Sequence, residues 1–169
     1  MKKILIICTL ATAMLLCCVS CQRGVRSILG DYSYKISGEV TITAENGEVT
    51  HLMVNKRGQM NILRDYISDG HVTITLNEST GGAYYCSALV KGDSLFVDPH
   101  SFSTNIITGE SINPWEEDHS FVFSITASGK GIHNGDIILI EERWSGTQSS
   151  NDAERLEGGK MLLLAEKNE

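Results

Sequence analysis

The residues of this chain that could carry out chemistry are histidines, cysteines and carboxylates, and their spacing decides what chemistry is open to them. The five histidines are His51, His71, His100, His119 and His133. They contain no HExxH pair of the kind that holds zinc, and the chain has neither a GxSxG turn nor a Walker-type phosphate loop. We therefore predict no catalytic residue, no metal and no cofactor, and we expect a protein that is not an enzyme.

A long polar segment, residues 98–118, is predicted to be a loop because it contains Pro114, several small polar residues and an acidic run. A loop of this length in a compact domain is usually functional or mobile. Trp115, Glu116 and Glu117 lie near its C-terminal end and are our candidates for contact with a partner. A protein-interaction or inhibitor module acting through this loop is therefore one functional hypothesis.

The N-terminal residues 1–20 have the pattern of an export signal. Two lysines precede an uncharged apolar run from Ile4 to Leu16, which is too short to span a bilayer. The run ends in Leu15-Leu-Cys-Cys-Val-Ser-Cys21, which resembles a lipobox, the site where lipoprotein signal peptidase cuts before a lipid-modified cysteine. Of the three cysteines here, Cys21 follows a small residue, Ser20, as that pattern requires. The resemblance implies lipidation of Cys21 and attachment to a membrane through acyl chains.

The remaining composition agrees with an exported, anchored domain. Only Cys86 follows Cys21, so the domain forms no internal disulfide, and a strand-like setting predicts a buried, inert thiol. The formal net charge is −7 and loses two lysines with the signal, which argues against nucleic acid as a partner. We divide the chain into a signal (1–20), a lipid-anchored tether (21–29) and a single domain (30–169).

The elements of that domain are predicted to be β-strands joined by short turns. From Tyr32 to Ile42 apolar and polar residues alternate, interrupted at Gly38, where a glycine on the apolar side permits a strong bend. Turn signals such as Asn46-Gly47 then recur between short runs rich in β-branched and aromatic residues. About eight strands in hairpin order favour a single antiparallel up-and-down barrel, with a two-sheet β-sandwich as the alternative.

In size and strand rhythm the domain resembles the lipocalin-like, or calycin-like, barrel lipoproteins of Bacteroides-type bacteria. Calycins begin their first strand with Gly-x-Trp and pack a late arginine across that tryptophan. Here Gly30-Asp31-Tyr32 occupies the first position, and either Arg143 or Arg155 is the candidate cation. The resemblance implies an eight-stranded barrel in the cell envelope, anchored to the outer membrane and facing the periplasm.

Barrels of eight strands are either filled by side chains or hold one small ligand. The inward-facing residues that we select as ligand-binding candidates are Tyr32, Tyr34, Ile36, Ile74, Phe121 and Phe123. Buried tyrosines need partners for their hydroxyls, which favours a partly wet interior. The leading functional hypothesis is a lipid-anchored envelope protein that binds a small apolar ligand in the barrel, with an envelope protein as the alternative partner.

Overall fold

A computed structural model of the chain describes residues 24–109, 119–148 and 151–169, with backbone alone at 107–109, 119–121 and 151–154. The described residues form a short helix over 24–28, here called the cap helix, followed by strands. The strands are β1 (Gly30–Thr43), β2 (Val49–Arg64), β3 (His71–Glu78), β4 (Ala83–Lys91), β5 (Ser94–Gly109), β6 (His119–His133), β7 (Ile137–Gln148) and β8 (Asn151–Lys167). No helix among these residues is both long and apolar enough to cross a membrane.

The eight strands form one closed barrel in which each strand pairs antiparallel with its neighbours in sequence, and β1 pairs with β8. The prediction of an up-and-down barrel rather than a sandwich is therefore confirmed. Alternate residues of each strand point inward and are buried, as Tyr32, Tyr34 and Ile36 are in β1. Gly38 lies where β1 crosses β8 closely, because an added Cβ would lie 2.1 Å from the Lys160 carbonyl oxygen.

One end of the barrel, which we call the capped end, is covered by the cap helix. The segment that the sequence indicates to be a tether thus contributes two buried side chains, Val25 and Ile28. The Tyr32 hydroxyl donates to the backbone oxygens of Ile28 (2.9 Å) and Gly135 (2.8 Å), which share its proton. These bonds attach the helix to the barrel.

The cation that lies over Tyr32 is a lysine. The Nζ atom of Lys167 is 5.7 Å from the centre of the Tyr32 ring and donates to the Ser27 carbonyl oxygen at 3.3 Å. Arg143 and Arg155, the two candidates from the sequence, are both exposed instead. The reason is register: both lie at outward positions of β7 and β8, whereas Lys167 pairs directly with Tyr32 at the end of β8.

Two strands are longer than the sequence patterns indicate. β5 continues through Asp98 and Pro99 to Gly109, so residues 98–109 of the segment predicted to be a loop form strand instead. The proline is exposed and coincides with a register shift between Val97 and His100, a place where its missing N–H is tolerated. β8 likewise runs unbroken through 154–159, although Gly158 and Gly159 are turn signals in the sequence.

Candidate functional site

The barrel interior contains a group of polar side chains that we call the interior polar cluster: Tyr34 of β1, Tyr84 of β4, His100 of β5 and Glu142 of β7. Three of their atoms, Tyr34 Oη, Tyr84 Oη and His100 Nε2, are buried without a hydrogen-bond partner among the described residues. Buried polar atoms in proteins are nearly always hydrogen-bonded. Three such atoms in one region make the cluster the candidate functional site of the described residues.

Glu142 is the acidic member of the cluster and is buried, with 2% of its surface exposed. Its Oε2 atom accepts a hydrogen bond of 2.9 Å from Trp144 Nε1. Burial raises the pKa of Glu142 above its ordinary value, and the Trp144 donor and the nearby His100 only partly oppose this rise. Space for the carboxyl group comes from β6, because a Cβ at Gly129 would lie 2.9 Å from Glu142 Cγ.

An aromatic stack holds the cluster in place. The rings of Tyr84 and Phe102 lie parallel with centroids 4.1 Å apart, and His100 stacks on the same Phe102 ring at 5.7 Å. Trp144 meets Phe102 edge-on at 5.3 Å. Such contacts restrict the rings to one orientation, so the Tyr84 hydroxyl and the imidazole are pre-positioned.

The tautomer of His100 follows from its one hydrogen bond. Its Nδ1 atom lies 3.0 Å from the Asp98 carbonyl oxygen, which can only accept, so Nδ1 carries the hydrogen. In the neutral ring Nε2 therefore carries no hydrogen and can only accept a hydrogen bond. The two tyrosine hydroxyls can donate, and burial raises the pKa of both Tyr34 and Tyr84, which keeps them protonated.

Beside the cluster, β4 and β5 separate. Their ladder covers only Ala88–Lys91 and Ser94–Val97, so residues 83–87 have no β5 partner. We call this gap in the described wall the notch. A cavity of about 190 Å³ at its rim is lined by Glu78, Tyr84, Thr104 and residues of the β3–β4 turn. The gap begins after Val97, where the register between β5 and β6 also shifts, between Val97 and His100.

The charge at the rim of the notch is already compensated. Glu78 accepts a bond of 2.8 Å from Lys56 Nζ through one carboxylate oxygen and of 3.1 Å from Thr104 Oγ1 through the other. Both members of the ion pair are largely buried. Glu78 thus links β2, β3 and β5. The polar atoms near the notch that lack a partner among the described residues are those of the interior polar cluster.

The residues predicted from the sequence have different outcomes. Tyr34 belongs to the cluster. Tyr32 donates its hydroxyl hydrogen bond to the cap helix, and Ile36, Ile74 and Phe123 are buried core residues. The Phe121 side chain, Cys21 and the loop residues Trp115, Glu116 and Glu117 lie outside the described residues, so these predictions stand as predictions.

Three members of the cluster were missed by the sequence analysis, and two of them left a signal. Glu142 occupies an inward position between Ile140 and Trp144, and Tyr84 precedes the inward-facing Cys86 in the same alternation. A carboxylate on the apolar side of a strand is rare and therefore informative. His100 gave no such signal, because the bulge at Pro99 interrupts the alternation.

Thiol chemistry and metal binding have little support among the described residues. Cys86 is buried as predicted, and burial raises the pKa of its thiol to about 12, so little thiolate forms near neutral pH. Within 24–109, 119–148 and 151–169, no three histidine, cysteine or acidic side chains are grouped for metal binding.

Comparisons with known proteins concern the shape of the barrel. No protein-family model and no curated protein matches the chain. Among solved structures, it is similar to EF1p2_mFAP2b bound to DFHBI, with a TM-score of 0.47, 14% identity, and 88% of this chain and 100% of that chain covered. It is also similar to a redesigned β-barrel, mFAP1, bound to DFHBI, with a TM-score of 0.39, 18% identity, and 86% and 99% covered. The described chain is a closed, eight-stranded, up-and-down β-barrel.

Proposed function

We propose that this chain is a lipid-anchored, calycin-like binding protein of the cell envelope, and that its barrel takes a small, largely apolar ligand with one polar group. The observation that carries the proposal is the set of three unpartnered polar atoms in the interior polar cluster, Tyr34 Oη, Tyr84 Oη and His100 Nε2. The anchor at Cys21, the outer membrane and the periplasmic orientation rest on the sequence.

The chemistry of the cluster favours a ligand that carries a hydroxyl group. A hydroxyl donates one hydrogen bond and accepts others. It would donate to His100 Nε2 and accept from Tyr34 or Tyr84. The surrounding Phe102 and Trp144 rings suit an apolar, planar remainder.

Binding is favoured over catalysis by the lack of an activated nucleophile among the described cluster residues. The Cys86 thiol is protonated near neutral pH, and the tyrosine hydroxyls have pKa values raised by burial. Raised pKa values keep these groups protonated near neutral pH, so they can donate hydrogen bonds but are poor nucleophiles.

The test uses two probes of the same shape, 2-naphthol and 2-methylnaphthalene, titrated calorimetrically into the purified protein. We expect 2-naphthol to bind roughly tenfold more tightly, the difference that one added hydrogen bond provides. Tyr84→Phe should remove most of this preference. Tyr85→Phe is the matched control, because Tyr85 is the outward-facing neighbour and is 75% exposed.

Native mass spectrometry of the protein purified from its own cells gives a second readout. A co-purified small molecule that is lost in the Tyr84→Phe variant would support the proposal. Equal affinity for both probes, together with no co-purified molecule, would contradict interior binding and leave the anchor as a separate question.

A further inference from the structure

Exposed apolar side chains are concentrated at the capped end of the barrel. At the tip of the β2–β3 turn, Tyr66 and Ile67 are 91% and 96% exposed. The turn is held by Asp65, whose Oδ1 atom accepts from the backbone N–H of Ile67 at 2.8 Å. The two side chains are thus presented outward by an ordered turn.

The outer wall beside the capped end is also apolar. Ile132 of β6 pairs with Leu139 of β7, which pairs with Leu164 of β8, so these three form a continuous row. Ile132 and Leu164 are 60% and 40% exposed, and Ile137, at the start of β7, is 44% exposed. An adjoining groove of about 310 Å³ adds Phe96 and Leu162. Contiguous apolar surface of this kind usually contacts a partner or a membrane.

The N-terminal segment reaches the barrel at this same end. A Cβ at Gly24 would lie 2.9 Å from the Gly92 carbonyl oxygen, so the cap helix begins against the β4–β5 turn. The next strand begins at Ser94, which pairs with Ile132 of the apolar row. Cys21 is three residues before Gly24. An extended chain spans at most about 3.6 Å per residue, so the Cα atom of Cys21 lies within about 11 Å of that of Gly24.

We propose that the capped end is the membrane-facing surface of the protein, with the Tyr66–Ile67 tip inserted at the lipid interface. This inference rests on the proposed lipidation of Cys21, since a tether of about 11 Å holds the capped end at the bilayer. Tyrosine is favoured at the headgroup level of membranes, and aliphatic side chains just below it. A short tether and an apolar tip on one end are the arrangement that a lipid surface requires.

The charges at the capped end select the kind of lipid. At this end the acidic residues Asp31, Asp65, Asp69, Asp93, Asp136 and Glu166 outnumber the basic residues Arg26, Arg64, Lys91 and Lys167. The surface is therefore not basic, and contact depends on apolar insertion instead of attraction to anionic headgroups. We expect binding to zwitterionic phosphatidylcholine vesicles that changes little with salt.

The experiment compares the two ends of the barrel, at the β2–β3 turn and at the start of β2. Full-length acylated protein carries an environment-sensitive thiol dye after Tyr66→Cys, and the matched control carries it after Val49→Cys, which is 53% exposed at the opposite end. Cys86 is buried and does not compete for the dye. Each protein is reconstituted in phosphatidylcholine vesicles with and without brominated acyl chains, and vesicle flotation is measured in parallel.

The proposal expects at least twofold quenching by brominated lipid at position 66 and none at position 49. Flotation with equal quenching, or none, at both positions would overturn the proposed orientation and leave the anchor intact. Loss of flotation would refute the anchor and the orientation with it. A spectral shift of the dye at position 66 before vesicles are added would instead assign this end to contact with a second copy.

Discussion

At the scale of single residues, two tyrosines of β1 show how the same side chain serves different purposes. Tyr32 and Tyr34 both point inward and are both buried. The hydroxyl of Tyr32 has two backbone acceptors at the capped end, whereas that of Tyr34 has no partner in the described structure. The first hydroxyl is a structural group, and the second is one that the proposed ligand would bind.

Phenylalanine substitutions separate these two roles. Tyr32→Phe leaves two buried carbonyl oxygens unpaired, so we expect the free energy of unfolding to fall by about 1–3 kcal/mol. Tyr34→Phe removes an unsatisfied hydroxyl and should change stability by less than about 0.5 kcal/mol or raise it. Urea unfolding of both variants measures this difference, and equal losses would refute the assignment.

The raised pKa of Glu142 predicts a pH dependence of stability. The folded protein holds this proton more tightly than the unfolded chain, whose ordinary value is near 4.5. The contribution of Glu142 is therefore complete below that pH and is lost as the pH rises through the folded pKa. Glu142→Gln cannot ionise and keeps an oxygen for Trp144 Nε1.

We accordingly expect the Glu142→Gln variant to become more stable relative to the wild-type protein as the pH rises from about 5 to about 8, because only the wild-type protein must keep this buried carboxyl group protonated. Urea unfolding at several pH values is the measurement. The neighbouring exposed Glu141→Gln is the control and should show no such trend. A variant that loses stability equally at all pH values would show that an ionised Glu142 is required.

At the scale of elements, sequence patterns predict the regular strands well. β1 and β3 alternate cleanly, and the Asn46-Gly47 turn follows β1 as expected. β5 and β8 are longer than the sequence patterns indicate, because Pro99 and the adjacent Gly158 and Gly159 are turn signals that the structure accommodates at register shifts. The interior polar cluster could not be predicted as a site, since four different strands bring its members together only when the barrel closes.

The notch predicts a local difference in hydrogen exchange between two neighbouring strands. Residues 83–87 of β4 pair with β3 but not with β5, whereas residues 73–77 of β3 are paired on both sides. About half of the β4 amides in this stretch should exchange fast, because alternate N–H groups face the notch. Residues 73–77 serve as the protected control, and equal protection of the two stretches would contradict the gap.

At the scale of the whole molecule, the described barrel and the proposed anchor divide the protein into two ends with different tasks. The capped end carries the cap helix, the Tyr66–Ile67 tip and the chain that leads to Cys21. The notch and the rim cavity at Glu78 lie beside the β3–β4 turn, toward the end of the barrel opposite the capped end. If both proposals hold, a ligand that entered through the notch would come from the side facing away from the membrane.

Lipidation is tested directly by metabolic labelling. We expect labelled palmitate to be incorporated into the wild-type protein and into Cys86→Ala, and labelling to be abolished in Cys21→Ala, because acylation requires the thiol at position 21. Gel autoradiography with the protein amount matched by immunoblot is the measurement. Label retained in Cys21→Ala would refute the anchor.

The pairing of β1 with β8 also has a kinetic consequence. Tyr32 and Lys167 are neighbours across the last seam of the barrel, although almost the whole domain separates them in sequence. The seven hairpin contacts can form locally, but this closing contact requires both ends of the domain, and long-range strand pairing is slow. Folding should therefore be limited by the seam, and a chain still being released without β8 would expose the open edge of β1. Loss of the final ten residues would act on this step first, as slower folding and aggregation rather than as a local defect.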